Sequence, residues 1–136
     1  METKIITTEE LNKFVSNVIS SDVVTYGVQN KEQDPRFKKY HFAKLCDASD
    51  LCLNYDVTVT SPKSLFTPSK ETLFKFKNDP ELKVEATFES EKRVLIGVHP
   101  YDMIAINQMD EVFKDKYEDK HYFNRRNNTV IIGVDP

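Results

Sequence analysis

The clearest pattern along this chain is an apolar segment that occurs twice. Residues 94–98 read Val-Leu-Ile-Gly-Val and are followed by His99 and Pro100, while residues 130–134 read Val-Ile-Ile-Gly-Val and are followed by Asp135 and Pro136. Each copy is a short, continuous and largely β-branched apolar run, which is typical of a strand buried on both faces. The segment between the copies is long enough for a helical crossover. The pair therefore predicts one βαβ unit with parallel strands.

The N-terminal residues have the pattern of an amphipathic helix. Thr7 and Glu10 have the spacing of a capping box, which marks a helix start. Apolar residues then fall on one stripe of a helix: Leu11, Phe14, Val15, Val18 and Ile19. The pattern predicts a helix that ends near Ser20 and packs this stripe on the rest of the protein.

Two strands are predicted next, at residues 23–28 and 40–45, joined by the polar loop 29–36. Asp34 and Pro35 in that loop indicate a turn. A hairpin is the simplest arrangement of the two strands.

Four segments with weaker patterns follow. Residues 54–60 alternate as a half-buried strand does, and residues 82–88 alternate as a strand with one solvent face does. Two prolines disfavour regular structure in residues 61–68. Residues 69–76 fit either a turn of helix or a strand.

The last third of the chain changes character. Pro100 suits the first turn of a helix, and Met103, Ile104, Ile106 and Met109 give that helix an apolar side. A charged linker at residues 114–120 and a short helix at residues 121–126 lead to the second repeated strand. The predicted fold class is α+β (mixed α/β), a mixed sheet with a C-terminal parallel βαβ unit and an N-terminal amphipathic helix. Residues 1–136 are predicted to form a single domain.

Composition narrows the classes of function. The 136 residues are 39% hydrophobic and 30% charged, a soluble globular balance, and the net charge of −3 offers no overall field for nucleic acid or an anionic membrane. No apolar run is long enough for a membrane span, and the N-terminus lacks the apolar core of a signal peptide, so we expect a cytoplasmic protein. Two cysteines, Cys46 and Cys52, cannot by themselves supply the four ligands of an iron–sulfur cluster or a structural zinc.

Several enzyme classes lack their motifs. Dinucleotide and P-loop sites need glycine-rich turns, whereas the three glycines here all lie within predicted strands. No Gly-x-Ser-x-Gly elbow is present, which argues against a serine hydrolase. We predict no catalytic residue and no metal site.

Candidate functional residues follow the first repeated strand, because parallel sheets place their chemistry beyond the carboxyl ends of their strands. His99 could act as an acid, Tyr101 as a hydrogen-bond donor and Asp102 as a base. The favoured alternative is structural: Asp102 accepts hydrogen bonds from backbone amides in the first turn of the helix, and His99 and Tyr101 fill the turn.

Further candidates lie elsewhere. A cluster of aromatic residues could line a ligand site or a partner surface, although a cluster with so much apolar surface more often lies in a core or an interface. Its members are Tyr117, His121, Tyr122 and Phe123. Arg125 and Arg126 could contact a partner, or form a solvated basic pair. Lys63 could bind an anion, or its ammonium group could simply be solvated.

The order of three motifs resembles a known family. A turn His99-Pro100-Tyr101-Asp102 follows the first repeated strand, Tyr122 precedes Arg125-Arg126 before the second, and Ser61-Pro62-Lys63 lies upstream. This order resembles the N-terminal region of the iron–sulfur β subunits of sulfhydrogenases and of the A subunit of anaerobic sulfite reductases. Those proteins carry Arg-Pro-Cys-Asp, Tyr-x-x-Arg-Arg and Pro-Pro-Lys at the corresponding places.

The resemblance implies a role in electron transfer. Family members relay electrons through [4Fe–4S] clusters held by later cysteine-rich segments. Tyr101 stands at the usual cysteine position and His99 at the usual arginine position, and a tyrosine does not replace a thiolate as an ordinary cluster ligand. Pro100 and Asp102 are retained, which favours a structural role for the turn.

The resemblance therefore implies a scaffold or docking domain of a hydrogenase- or sulfite-reductase-type subunit. It would have no cofactor of its own, with clusters expected only beyond Pro136, and its partners would be other subunits of the complex in an anaerobe's cytoplasm. A native domain rarely ends on a buried strand, so we expect these residues to be the front part of a longer subunit. The alternative is a stand-alone interaction module that binds protein through the segment around Tyr122 and has lost redox chemistry.

Overall fold

The computed structural model describes residues 3–31, 38–78, 80–89 and 91–135. The helices are α1 (Thr8–Ile19), α2 (Pro100–Lys114) and α3 (Lys120–Asn127). The strands are β1 (Val24–Asn30), β2 (Tyr40–Lys44), β3 (Phe74–Asn78), β4 (Leu82–Ala86), β5 (Arg93–Val98) and β6 (Thr129–Gly133). Short 3-10 helices span Ala48–Asp50 and Pro62–Leu65. The predicted α+β class with a mixed sheet is confirmed.

The main sheet has the strand order β2-β1-β5-β6. Strands β1 and β2 form the predicted antiparallel hairpin, and β5 is parallel to both β1 and β6. The two repeated segments lie side by side, with Leu95 opposite Ile131, and α2 and α3 form the crossover between them. The βαβ unit is therefore confirmed. The turn predicted at Asp34 and Pro35 lies outside the described residues.

The two copies of the repeat do not share the same environment. In β5, Leu95, Ile96 and Val98 are buried, as expected of a central strand. In β6, at the edge of the sheet, Val130 is 61% exposed. Burial on both faces was thus the wrong expectation for the whole of the second copy. The two core clusters reach Ile131 and Ile132 at this edge of the sheet and leave Val130 exposed.

Helices cover both faces of the sheet. Successive strand residues point to opposite faces, so Leu95 packs in a cluster with α2 and α3, whereas Ile96 packs in a second cluster with α1. The capping box at Thr7 is present, and Val15 is fully buried. Phe14, on the same predicted stripe, is left exposed.

Residues 54–60 do not form the predicted strand. With the other described residues, this segment forms a single ladder contact, an isolated bridge between Thr58 and Tyr40. Tyr55 is buried, and its neighbours Asn54 and Asp56 are exposed, so the alternation reflects one anchored ring rather than strand pairing.

Strands β3 and β4 form a separate two-stranded hairpin, with Phe76 opposite Val84. The ambiguous residues 69–76 thus end in a strand. Every residue of both strands is exposed, so the expectation of one buried face for residues 82–88 was wrong. In the described part of the chain, no helix is long and apolar enough to cross a membrane.

Candidate functional site

The turn after β5 places His99, Tyr101 and Asp102 at the start of α2. Pro100 is the first residue of the helix, and its fixed φ and missing N–H suit that position. His99 is the N-cap, with extended backbone (φ −75°, ψ 156°) and no capping hydrogen bond from its side chain. The turn thus lies at the carboxyl end of a central parallel strand, as the sequence predicted.

His99 is enclosed by aromatic rings. Its side chain is 2% exposed and stacks on Tyr55, with ring centroids 4.1 Å apart and an interplanar angle of 23°. Tyr101 meets the same imidazole edge to face at 5.3 Å. The Nε2 atom of His99 is buried and has no hydrogen-bond partner among the described residues. The imidazole is therefore held by packing.

Tyr55 is the residue that sequence reasoning missed at this site. Its hydroxyl donates a 2.5 Å hydrogen bond to the carbonyl of Gly97, 42 residues later. Burial raises the pKa of Tyr55 well above its ordinary value, and the nearby Tyr101 and Asp102 add to this shift. No local pattern indicates such a contact, because it joins a loop to a distant strand.

Tyr101 closes the outer side of the turn. Its hydroxyl donates a 2.8 Å hydrogen bond to the carbonyl of Asp56, while 49% of the residue remains exposed. Desolvation raises the pKa of Tyr101, as do the negative charges of Asp102 and Asp56. The phenol therefore acts as a neutral donor that fastens the loop containing Tyr55 to the helix start.

Asp102 is buried in the first turn of α2, where the helix dipole stabilises a negatively charged side chain. The structure differs from the expected bonding to backbone amides, since its carboxylate accepts a 3.1 Å hydrogen bond from the Ser61 hydroxyl. Ser61 also caps the 3-10 helix Pro62–Leu65, accepting from the backbone N–H of Lys63. A structural function for Asp102 fits this geometry, with a partner in another segment.

Lys63 lies on that 3-10 helix and is half-buried. Its carbonyl accepts hydrogen bonds from the backbone of Phe66 and Thr67. Among the described residues its ammonium group forms no ion pair. Binding of an anion by Lys63 stays a prediction.

The candidates on α3 are engaged inside the protein. Tyr122 is 1% exposed and donates a 2.6 Å hydrogen bond to Asp110, which also accepts from Arg126 at 3.1 Å. Arg125 is 4% exposed; its Nε donates to the carbonyl of Phe66 at 2.8 Å, and its other nitrogens pair with Glu71. The structure thus uses these side chains to join α3 to other segments, and a partner role for them stays a prediction.

The residues of the three sequence motifs are joined by two sets of contacts. Ser61 and Asp102 join the upstream loop to the turn after β5, while Arg125 joins α3 to Phe66 at the end of the same loop. A cavity of about 350 Å³ lies beside Tyr55. It is lined by Lys38, Tyr40, Asn54, Tyr55, Asp56 and Val57.

The chemical repertoire of this arrangement is limited. The Nε2 atom of the buried His99 has no carboxylate or hydroxyl partner among the described residues, so this nitrogen forms no nucleophile and base pair with them. Within the described ranges, no group of three or more His, Cys, Asp or Glu side chains could hold a metal ion. Cys46 is exposed and Cys52 half-buried, and both are free thiols.

The sequence of this chain is related to that of a sulfhydrogenase β subunit, as the order of the motifs indicated. The relative that shows this is sulfhydrogenase 2 subunit beta of Pyrococcus furiosus, which is 30% identical over 95 residues, or 70% of this chain. The chain spans 28% of the length of that relative. No family model matches the sequence, and no solved structure matches it.

Proposed function

We propose that this chain is the scaffold and docking domain of an iron–sulfur electron-transfer subunit of the hydrogenase or sulfite-reductase type, without a cluster of its own. The relation to a sulfhydrogenase β subunit supports the class. The observation that carries the scaffold assignment is Tyr101. At the place where the resembling family has cysteine, this chain has a phenol that is hydrogen-bonded to Asp56 and packed against His99.

The contacts of the motif residues support the same assignment. Asp102 with Ser61, and Arg125 with Phe66, each link segments far apart in sequence. Removing one partner of a buried polar contact leaves the other unsatisfied, which is costly. The motif residues are therefore best explained as the contacts that hold the loop of residues 61–66 on α2 and α3.

The proposed class implies particular partners and cofactors. The partners would be the other subunits of a hydrogenase or reductase complex in the cytoplasm of an anaerobe. Any [4Fe–4S] clusters would be bound by cysteine-rich segments of the subunit outside these 136 residues. In this proposal the domain positions those segments and contributes no ligand.

Two measurements test the proposal. The purified chain, reconstituted anaerobically with iron and sulfide, should show no cluster absorption and no bound iron, and the Tyr101→Cys variant should behave in the same way because one added thiolate does not complete a four-ligand set. The tagged chain should capture hydrogenase or reductase subunits from native extract of its source organism. Stoichiometric iron and sulfide in the unmodified chain would contradict the cluster-free assignment, and capture without any oxidoreductase subunit would contradict the class.

A stand-alone interaction module remains the second candidate, and one observation changes where it would bind. The ring of Tyr122 is buried between Phe113 and Phe66, so it offers no free surface. Four exposed apolar side chains lie together on the β3–β4 hairpin instead: Phe74, Phe76, Leu82 and Val84. In the same capture experiment, a module of this kind would recover a partner that is not an oxidoreductase.

A further inference from the structure

The β3–β4 hairpin has two faces of different chemistry. In its register Phe74 lies opposite Ala86 and Phe76 opposite Val84, while the intervening pairs are Lys75 with Glu85 and Lys77 with Lys83. Because side chains alternate across a strand, one face is aromatic and aliphatic and the other is charged. Phe76, in the middle of the apolar face, is 74% exposed.

No other element of the described chain covers this hairpin. β3 and β4 pair only with each other there, and their residues are exposed throughout. The base of the hairpin is attached to the body, since Phe88 stacks on His121 at 4.7 Å and Phe74 meets the same ring edge to face. An isolated two-stranded hairpin is marginal in water, and an exposed apolar patch rimmed by charge marks an interaction site.

The outer edge of β3 has a simple alternating pattern. Along it, Phe74 and Phe76 alternate with Lys75 and Lys77. The β4 strand is mixed in charge, with Lys83 followed two residues later by Glu85. Within the described residues, no ion pair neutralises these lysines. The β3 edge therefore combines unpaired backbone hydrogen-bonding groups with an alternation of aromatic rings and positive charge.

A strand added to this edge would contact both its backbone groups and its alternating side chains. Its successive side chains point to opposite faces, so one set would lie on the phenylalanines and the other would lie beside the lysines. We propose that the β3 edge binds an extended segment of a partner protein in which apolar residues alternate with Asp or Glu. This inference goes beyond the proposed function, because it does not require the partner to be an oxidoreductase subunit.

Charge placement disfavours two other occupants. A second copy of the chain paired through β3 would bring Lys75 and Lys77 against the same lysines, and like charges across a strand pair are destabilising. An anionic membrane would need the aromatic and basic side chains to approach the same surface. On this hairpin they point to opposite faces.

A peptide experiment tests the acidic strand directly. The probe is a fluorescent, end-blocked peptide Thr-Val-Glu-Val-Asp-Val-Thr, and its matched control has Lys at both acidic positions. We expect the full chain to bind the acidic peptide only, more weakly as salt is raised. In spectra of the isotope-labelled protein, the amide shifts should be centred on residues 74–78.

Variants identify the side chains responsible. Lys75→Glu combined with Lys77→Glu should weaken binding of the acidic peptide about tenfold and allow binding of the lysine peptide. Lys13→Glu combined with Lys116→Glu makes the same change in net charge outside the hairpin and should leave binding within about twofold of the parent. Phe76→Thr should weaken binding by removing the apolar contact. Thermal melts confirm that each variant is folded.

Four outcomes would overturn the proposal: no binding of the acidic peptide, equal binding of both peptides, dimerisation that the paired lysine variant abolishes, or binding to anionic vesicles in place of the peptide. The test is separable from that of the proposed function. If oxidoreductase subunits are captured and the peptide does not bind, the hairpin assignment is wrong and the proposed class of protein stands. If the peptide binds and no such subunit is captured, the hairpin assignment stands and the proposed class is wrong.

Discussion

Asp102 shows how single residues in this chain link distant segments. Its carboxylate lies in the first turn of α2 and accepts a hydrogen bond from Ser61, 41 residues earlier in the sequence. Two effects favour the charge there: the helix dipole and the hydroxyl donor. Neither residue needs a ligand to account for its burial.

We therefore expect Asp102→Ala to lower the free energy of unfolding by about 1–2 kcal/mol and Ser61→Ala by about 0.5–1.5 kcal/mol. The double variant should cost less than the sum, because both single changes remove the same hydrogen bond. Urea unfolding of the four proteins measures the coupling. Strict additivity would show that the two side chains act independently, and an unchanged stability of Asp102→Ala with lost partner capture would favour a binding role instead.

Tyr122 leads to a prediction about alkaline pH. Burial and the hydrogen bond to Asp110 raise the pKa of this phenol above its ordinary value of 10.0. Below pH 10 the phenol is protonated in both states, so its contribution to stability is complete. Above pH 10 the unfolded chain loses the proton first, and stability falls by up to about 1.4 kcal/mol per pH unit for this one group.

Tyr122→Phe should thus lose about 1.5–3 kcal/mol near pH 7, because the acceptor of the lost hydrogen bond is a carboxylate. It should also show a shallower decline of stability above pH 10. Tyr117→Phe, at a residue that is 86% exposed, is the matched control and should change neither quantity. Urea unfolding between pH 7 and pH 11 checks both, and parallel pH profiles for parent and Tyr122→Phe would refute the assignment.

At the scale of elements, the sequence pattern predicted the helices and strands that depend on neighbouring residues. The capping box and stripe gave α1, Pro100 gave the start of α2, and the repeated apolar runs gave adjacent parallel strands. Alternation alone did not distinguish a strand from a loop anchored by Tyr55. The apolar residues of this segment alternate as in a strand, yet Tyr55 is buried whereas Val57 and Val59 are exposed. Nor does alternation reveal whether the rest of the protein covers the apolar face of a strand, as the exposed β3–β4 hairpin shows.

The glycines of the two repeats offer a test at this scale. Gly97 has φ of +94°, at a register shift between β5 and β6, whereas no positive φ is found at Gly133. A side chain at Gly97 would be strained whatever space it had, and its Cβ would lie 3.3 Å from Leu53. The equivalent Cβ at Gly133 would only meet the carbonyl of Val98, also at 3.3 Å.

We expect Gly97→Ala to cost about 1–3 kcal/mol of unfolding free energy and Gly133→Ala distinctly less. The Gly97 carbonyl accepts the hydroxyl of Tyr55, so amide shifts in the Gly97 variant should extend to Tyr55 and His99. Denaturant midpoints and amide spectra of the two variants provide the comparison. Equal losses would mean that the backbone conformation of Gly97 is not what the fold requires.

At the scale of the whole molecule, the sequence indicated which segments matter but not how they meet. The order of the motifs predicted the family relation and placed His99, Tyr101 and Asp102 together at the end of β5. It could not predict that Ser61 would contact Asp102 or that Glu71 would pair with Arg125, since those contacts join segments 41 and 54 residues apart. Local patterns specify which face of an element is apolar, whereas the partner of a polar group depends on the packed chain.

Arg125 is the contact through which α3 holds both the loop of residues 61–66 and the approach to β3. Its Nε donates to Phe66, its terminal nitrogens pair with Glu71, and it is almost fully buried. Arg126, next in sequence, pairs with Asp110 and lies over the ring of Phe66, but its side chain is 23% exposed. The two arginines therefore form a matched pair that differs in burial.

We expect Arg125→Leu to lower the free energy of unfolding by about 3–5 kcal/mol, because it leaves the Glu71 carboxylate and the Phe66 carbonyl without their donor. Arg126→Leu should cost about 1 kcal/mol or less. If Arg125 also fixes the base of the hairpin, Arg125→Leu should accelerate amide exchange in residues 74–86 relative to α1, and Arg126→Leu should not. A uniform change in exchange across the chain would show that Arg125 stabilises the fold as a whole, without a separate hold on the hairpin.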